Sequence, residues 1–245
     1  MSPASGAAPL LGLYRLLLHQ QLTKGRLVLT GTLSGLALLV TVLIARNALP
    51  SERIEGTVGF LSVFGLALMV PILSLVLASS SLGQLVEDQT LVYLWLRPNP
   101  RWVLALAAWL ASATVAVPVS VVPLVVASAI GTGGDGRTMG AVAAAMALAA
   151  VAYTGLFTLV GLLIRRSLIW GLAYLFIWEL FVARVGQGAA RLSINTYPAS
   201  VLSHITHIEL PQADRGFAYA VVIPLLAAAL SVALTAWRLS RADVA

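Results

Sequence analysis

The chain contains no cysteine, so disulfides, thiolate metal sites and cysteine nucleophiles are excluded, and the redox compartment is left undetermined. Charge is almost as scarce. Only 10% of the 245 residues are Asp, Glu, Lys or Arg, against about 25% in an average soluble domain, while 60% are hydrophobic and mean hydropathy is +0.95. Such a composition suits a chain whose main solvent is lipid. Lysine occurs only as Lys24, and the net charge of +6 is spread over arginines between apolar runs. That dispersal argues against nucleic acid as a partner, despite a pI near 10.3, and for a role of the charge in membrane orientation. Strand-like alternation is absent too, which argues against an outer-membrane barrel.

What is present is a series of long apolar runs. A helix needs about 20 apolar residues to cross the hydrocarbon core. Six segments qualify: 27–45, 57–82, 102–130, 139–164, 167–183 and 217–237. They predict an all-α integral membrane protein, six transmembrane helices in a single domain over 1–245. The fifth segment is the shortest and contains Glu179; the others carry no ionisable residue. Arg15, His19 and Lys24 interrupt the N-terminal apolar stretch, and no small-residue cleavage site follows it cleanly, so a cleavable signal is not expected there. Pro71, Pro118, Pro123 and Pro224 fall inside spans, where each removes a backbone hydrogen bond and can kink the helix. Gly31 and Gly35 form a small-xxx-small face that would admit a neighbouring helix.

An even number of spans puts both termini on one side. With the termini inside, nine cations face the cytoplasm: Arg15, Lys24, Arg26, Arg97, Arg101, Arg165, Arg166, Arg238 and Arg241. Six, namely Arg46, Arg53, Arg137, Arg184, Arg191 and Arg215, face outward. The bias favours cytoplasmic termini. Before the first span, residues 8–26 place Leu10, Leu11, Tyr14, Leu17, Leu18 and Leu22 on one helical face and Arg15, His19, Thr23 and Arg26 on the other. That pattern predicts an amphipathic helix lying in the cytoplasmic interface.

Between the second and third spans runs EDQTLVYLWLRPNPRW, a polar segment within the connection 84–101. It is too long for a simple turn and reads as a short helix of its own. Glu87 and Asp88 suit the positive end of a helix dipole, Leu91 and Leu94 supply apolar surface, and Pro98 and Pro100 stop it. Arg101 and Trp102 then mark the return to the membrane. The stretch resembles the segment after the second span in the membrane subunits of type-2 ABC exporters, through Glu87, Thr90, Leu91, Leu94, Arg97, Pro98 and Arg101. The order of elements is similar along nearly the whole chain, although the motif is short and degenerate. The resemblance implies a permease of a bacterial ABC exporter in which this segment is a coupling helix, docking on a separate ATPase subunit. Arg165 and Arg166, between spans four and five, would be a second contact. It further implies two ATPase copies, a second permease copy or homologue, and ATP and Mg held by the ATPases, with no cofactor bound by this chain. The abundance of Arg and Ala suggests a GC-rich bacterial genome, so the expected location is the bacterial inner (cytoplasmic) membrane, multi-pass.

Two other patterns invite chemistry. GTGGDGRT, at 131–138, is one substitution from a nucleotide-binding loop, but it lies between two spans with Arg137 in the lysine position, and a turn is expected instead. His204, His207 and Glu209 lie in the outer loop 184–216 without further ligands at metal-binding spacing, and ordinary loop residues are expected. Pro198 is placed to open a short helix in the same loop. Glu179 is the single carboxylate inside a span. A charge at the centre of a span costs about 3 kcal/mol on insertion scales, so such a residue faces a pathway, makes an interhelical bond, or snorkels to the headgroups. No catalytic set is apparent, and a transport subunit is expected rather than an enzyme. The alternative is an ATPase-independent membrane carrier or an integral-membrane lipid-modifying protein.

Overall fold

The structure, a computed structural model, describes residues 7–21, 23–49, 51–83, 101–183, 187–211 and 213–241. These form helices α1 (Ala7–Gln21), α2 (Lys24–Asn47), α3 (Arg53–Ser81), α4 (Arg101–Thr132), α5 (Gly136–Leu163), α6 (Ser167–Val182), α7 (Gln187–Ala190), α8 (Thr196–Thr206) and α9 (Phe217–Arg241), with no strand among the described residues. Five helices, α2, α3, α4, α5 and α9, are long and apolar enough to cross a membrane. The segment read as the fifth span is shorter. α6 has seven residues of α-helix followed by nine of π-helix, which at about 1.5 Å per residue falls short of the about 30 Å hydrocarbon core.

α3 and α5 are the most enclosed of the long helices, and α4, α8 and α9 pack against α5. α2 and α9 present Leu27, Val28, Leu39, Leu226 and Leu230 outward, as helices bathed in lipid do. Lipid is as apolar as leucine, so close packing holds such helices together rather than removal from water. Gly155 of α5 shows this: a Cβ there would lie 2.8 Å from the Cα of Ala228 in α9, so only glycine lets the two backbones meet. Gly31 and Gly35, by contrast, are exposed with no neighbouring atom close by. Several buried hydroxyls are satisfied within their own helices. Thr41, Ser112, Thr154, Thr158 and Thr235 each donate to the carbonyl four residues earlier.

α3 departs from α-helical winding at Leu61–Met69, a π segment ending two residues before Pro71. Proline lacks an N–H and its ring collides with the carbonyl four residues back, and a widened turn absorbs both effects. Between α4 and α5, Gly133 and Gly134 take positive φ of 69° and 89°, and the Gly134 N–H donates to the Ala129 carbonyl at 2.9 Å. Asp135 caps α5, accepting from the Thr138 N–H at 2.9 Å and its hydroxyl at 2.5 Å. The GTGGDGRT motif is therefore a helix stop followed by a helix start. The Thr138 bonds hold the Asp135 carboxyl below its ordinary pKa.

α1 ends at Gln21 instead of continuing to residue 26, and Lys24 and Arg26 belong to α2. Its inward stripe also differs from the expected face. Leu13, Leu17 and Gln21 are buried, with Leu10 and Tyr14 partly so, against Val103, Leu104, Ala107, Ala108 and Ala111 of α4, while Leu11 is exposed. The helix packs on protein on one side and leaves apolar surface on another. The connection 184–216, expected as a loop, is more structured than a loop. It contains α7 and α8, and α8 buries Tyr197, Val201 and Leu202 between α5 and α9. Pro198 falls in the first turn of α8.

Candidate functional site

Alternation of the long helices puts Gln21, the end of α3, the start of α4, the α5–α6 turn and the end of α9 at one end of the bundle. Exposed Trp102, Trp170 and Trp237 gather at this end, as indole rings do at a headgroup boundary. Of the residues assigned to coupling, Glu87, Asp88, Thr90, Leu91, Leu94, Arg97 and Pro98 lie outside the described residues. Arg101 opens α4, and its guanidinium donates to the carbonyls of Leu239 at 2.7 Å and Ser240 at 2.9 Å. It thus satisfies the orphan carbonyls at the end of α9. Arg165 and Arg166 form the exposed α5–α6 turn at the same end, with Arg166 at φ 61°.

Sequence reasoning missed Gln21. Its side chain is 1% exposed and reaches two other helices. Nε2 donates to the Leu77 carbonyl at 3.0 Å and to Ser112 Oγ at 3.3 Å, and Oε1 accepts from Ser80 Oγ at 3.2 Å. A polar joint thereby ties α1 to α3 and α4 beside the ends that enter and leave 84–100. A glutamine at the close of an apolar helical stripe was the available signal.

The opposite end holds Glu179. It is 1% exposed, so it does not snorkel to the surface. Its Oε1 accepts from the Tyr174 hydroxyl at 2.8 Å and the Ile194 N–H at 3.1 Å, and its Oε2 from the Ser193 hydroxyl. Tyr174 and Glu179 are five apart, which in an α-helix would point them about 140° away from each other. The π segment Tyr174–Val182 closes its turns at i+5 and brings them together. Behind the carboxyl stand Tyr153, Phe157 and Tyr174, ring on ring at centroid separations of 5.8 and 6.4 Å. The Tyr153 hydroxyl, wholly buried, lies within electrostatic reach of Glu179 but makes no hydrogen bond of normal geometry.

In front of it is a cavity of about 250 Å³ lined by Ser62, Val63, Glu179, Asn195, Ala199 and Leu210, among others. Two of the three described π segments border this space, through Ser62 and Val63 on one side and Glu179 on the other, while the third, Ser79–Gly83, lies at the other end of the bundle. Asn195 Oδ1 is buried there without a hydrogen-bond partner. Leu210 and Pro211 separate the cavity from a wider recess lined by Glu52, Glu55 and Glu209. His204 and His207 take separate partners: His204 Nε2 meets the Arg215 carbonyl at 2.7 Å, and His207 Nε2 meets Arg137. Among the described residues no three His, Asp or Glu converge as metal ligands.

No protein-family model matches the chain, and no curated protein is significantly similar to it. The reading of its function therefore rests on composition, the motif and this geometry.

Proposed function

We propose that the chain is the membrane-spanning permease subunit of an ATP-driven exporter in the bacterial inner membrane, with the Gln21 end facing the cytoplasm. Residues 84–100 receive force from a separate ATPase. Ten residues serve this coupling: Glu87, Asp88, Thr90, Leu91, Leu94, Arg97, Pro98 and Arg101, with Arg165 and Arg166 as the second contact. α6 supplies the sixth crossing, completed by local bilayer thinning around a short helix. Two permease chains and two ATPases complete the machine, and nucleotide chemistry resides on the ATPases. This chain's work is conformational.

One observation supports this reading above the others. The helices flanking 84–100 are tied by buried or capping polar bonds to α1 through Gln21 and to α9 through Arg101. A push on that segment is delivered to four helices at once rather than absorbed by a loose connection. The test is co-expression with the neighbouring open reading frames followed by purification. A nucleotide-binding subunit should accompany the chain, and Arg97→Glu should release it. Cargo movement at full rate by the purified chain alone, without nucleotide, overturns the proposal in favour of an autonomous carrier.

A further inference from the structure

We infer that the Glu179 cavity is a binding site for a primary ammonium group carried on a short apolar chain, entered from the acidic recess beside it. The inference goes beyond the exporter reading and does not depend on it, because binding is a property of the isolated chain.

The site begins with a carboxylate out of contact with water. Three donors fix its orientation, yet among the described residues it has no ion pair. A carboxylate has about four acceptor positions, so about one is left facing the cavity. Asn195 Oδ1 adds a second acceptor, buried and unpartnered. A third comes from Ser62 Oγ, whose proton is committed to the Gly59 carbonyl at 2.8 Å, leaving its lone pairs free. Apart from the Asn195 amide N–H groups, the polar atoms turned to the cavity are acceptors, because the hydroxyl protons of Ser62, Ser193 and Thr196 are committed elsewhere. An ammonium head, with three N–H donors and a positive charge, is the complementary group.

A bare divalent ion fits less well. Calcium takes six to eight oxygens and magnesium demands an octahedron, more than this wall supplies. The rest of the wall is Val63, Ala199, Leu210 and Pro211, with Ser193 and Thr196 whose hydroxyls are already bonded, and its apolar part suits an alkyl chain. At about 250 Å³ the space lies below the roughly 300–1,000 Å³ of a drug-sized site, so the chain is short. Glu52, Glu55 and Glu209 line the approach and raise the local concentration of cations there.

The experiment is titration of the purified full-length chain in detergent with n-butylammonium chloride, followed by calorimetry and by the unfolding temperature. Sodium chloride at equal ionic strength and 1-butanol are the controls. Saturable binding and a rise in unfolding temperature are expected with n-butylammonium only. Glu179→Gln retains an acceptor for Tyr174 and the Ile194 N–H while removing the charge, and should weaken binding at least tenfold. Asn195→Ala should weaken it about 10- to 100-fold, the loss of one hydrogen bond to a charged group. If Glu179→Gln fails to fold, Ala199→Leu fills the cavity without touching the carboxylate and should abolish binding. An equal response to sodium chloride or to 1-butanol overturns the inference. So does undiminished affinity in whichever of these variants folds.

Discussion

Replacing Gln21 by Met tests whether α1 is a working part of the bundle or a passive anchor. The side chain is similar in length, so no large void opens, but all three hydrogen bonds are lost. Each contributes about 0.5–1.5 kcal/mol net. The partners are not orphaned: Ser80 Oγ still donates to the Leu77 carbonyl at 2.7 Å, and Ser112 Oγ to that of Ala108 at 2.9 Å. The expected cost is therefore about 1.5–4.5 kcal/mol, without the added penalty of stranded donors. For a chain of this length each kcal/mol moves the unfolding temperature by about 2–4 °C, giving a fall of roughly 3–18 °C. Differential scanning in detergent reads the fall, and hydrogen exchange should show faster opening of the α1 amides with α5 unchanged. Ser112→Ala, combined with Gln21→Met, should cost less than the two changes summed, since they share a bond. An unfolding temperature within 1 °C of the parent, with α1 exchange unaltered, would refute the idea that this joint binds the helices together.

Gly155→Ala drives a methyl group into the α9 backbone at Ala228 and should destabilise by about 1–3 kcal/mol; Gly31→Ala meets nothing and should stabilise its helix by up to about 1 kcal/mol. Paired thermal scans check both, and equal effects would mean that the α5–α9 contact is not close. Asp135→Ala removes the α5 cap and should lower the unfolding temperature. Because the folded carboxyl titrates below its ordinary value of about 3.9, the difference from the parent should be full above that pH and shrink as pH falls through the folded value. A difference that grows as pH falls would contradict it. The cysteine-free background makes sidedness measurable: Arg165→Cys should be labelled from the cytoplasm and Asp214→Cys from outside by a membrane-impermeant maleimide. The reverse pattern would invert the proposed topology.

How much of this was legible in the sequence depends on which property the sequence reports. Hydropathy reports the solvent, and five long apolar helices followed directly from it. It does not report which apolar face meets protein. In α1 the leucines formed one broad apolar face, yet the inward stripe runs through Leu13 and Leu17 to Gln21, because lipid accepts Leu11 as readily as a neighbouring helix would. Helical periodicity assumes 3.6 residues per turn and so misplaces any pair held by a π turn, which is why Tyr174 was not linked to Glu179. Ser193 and Asn195 join the same site across a connection whose path no local pattern specifies. These failures coincide in space. The two π segments at Leu61–Met69 and Tyr174–Val182 border one cavity, and that cavity contains the buried carboxylate and the unpartnered amide oxygen. Regular winding would turn Glu179 away from Tyr174 and remove one of its three hydrogen-bond donors. The π winding at Tyr174–Val182 thus adds the tyrosine donor to a carboxylate already held by Ser193 and Ile194, and at this end of the bundle the break in helical periodicity marks the buried polar site.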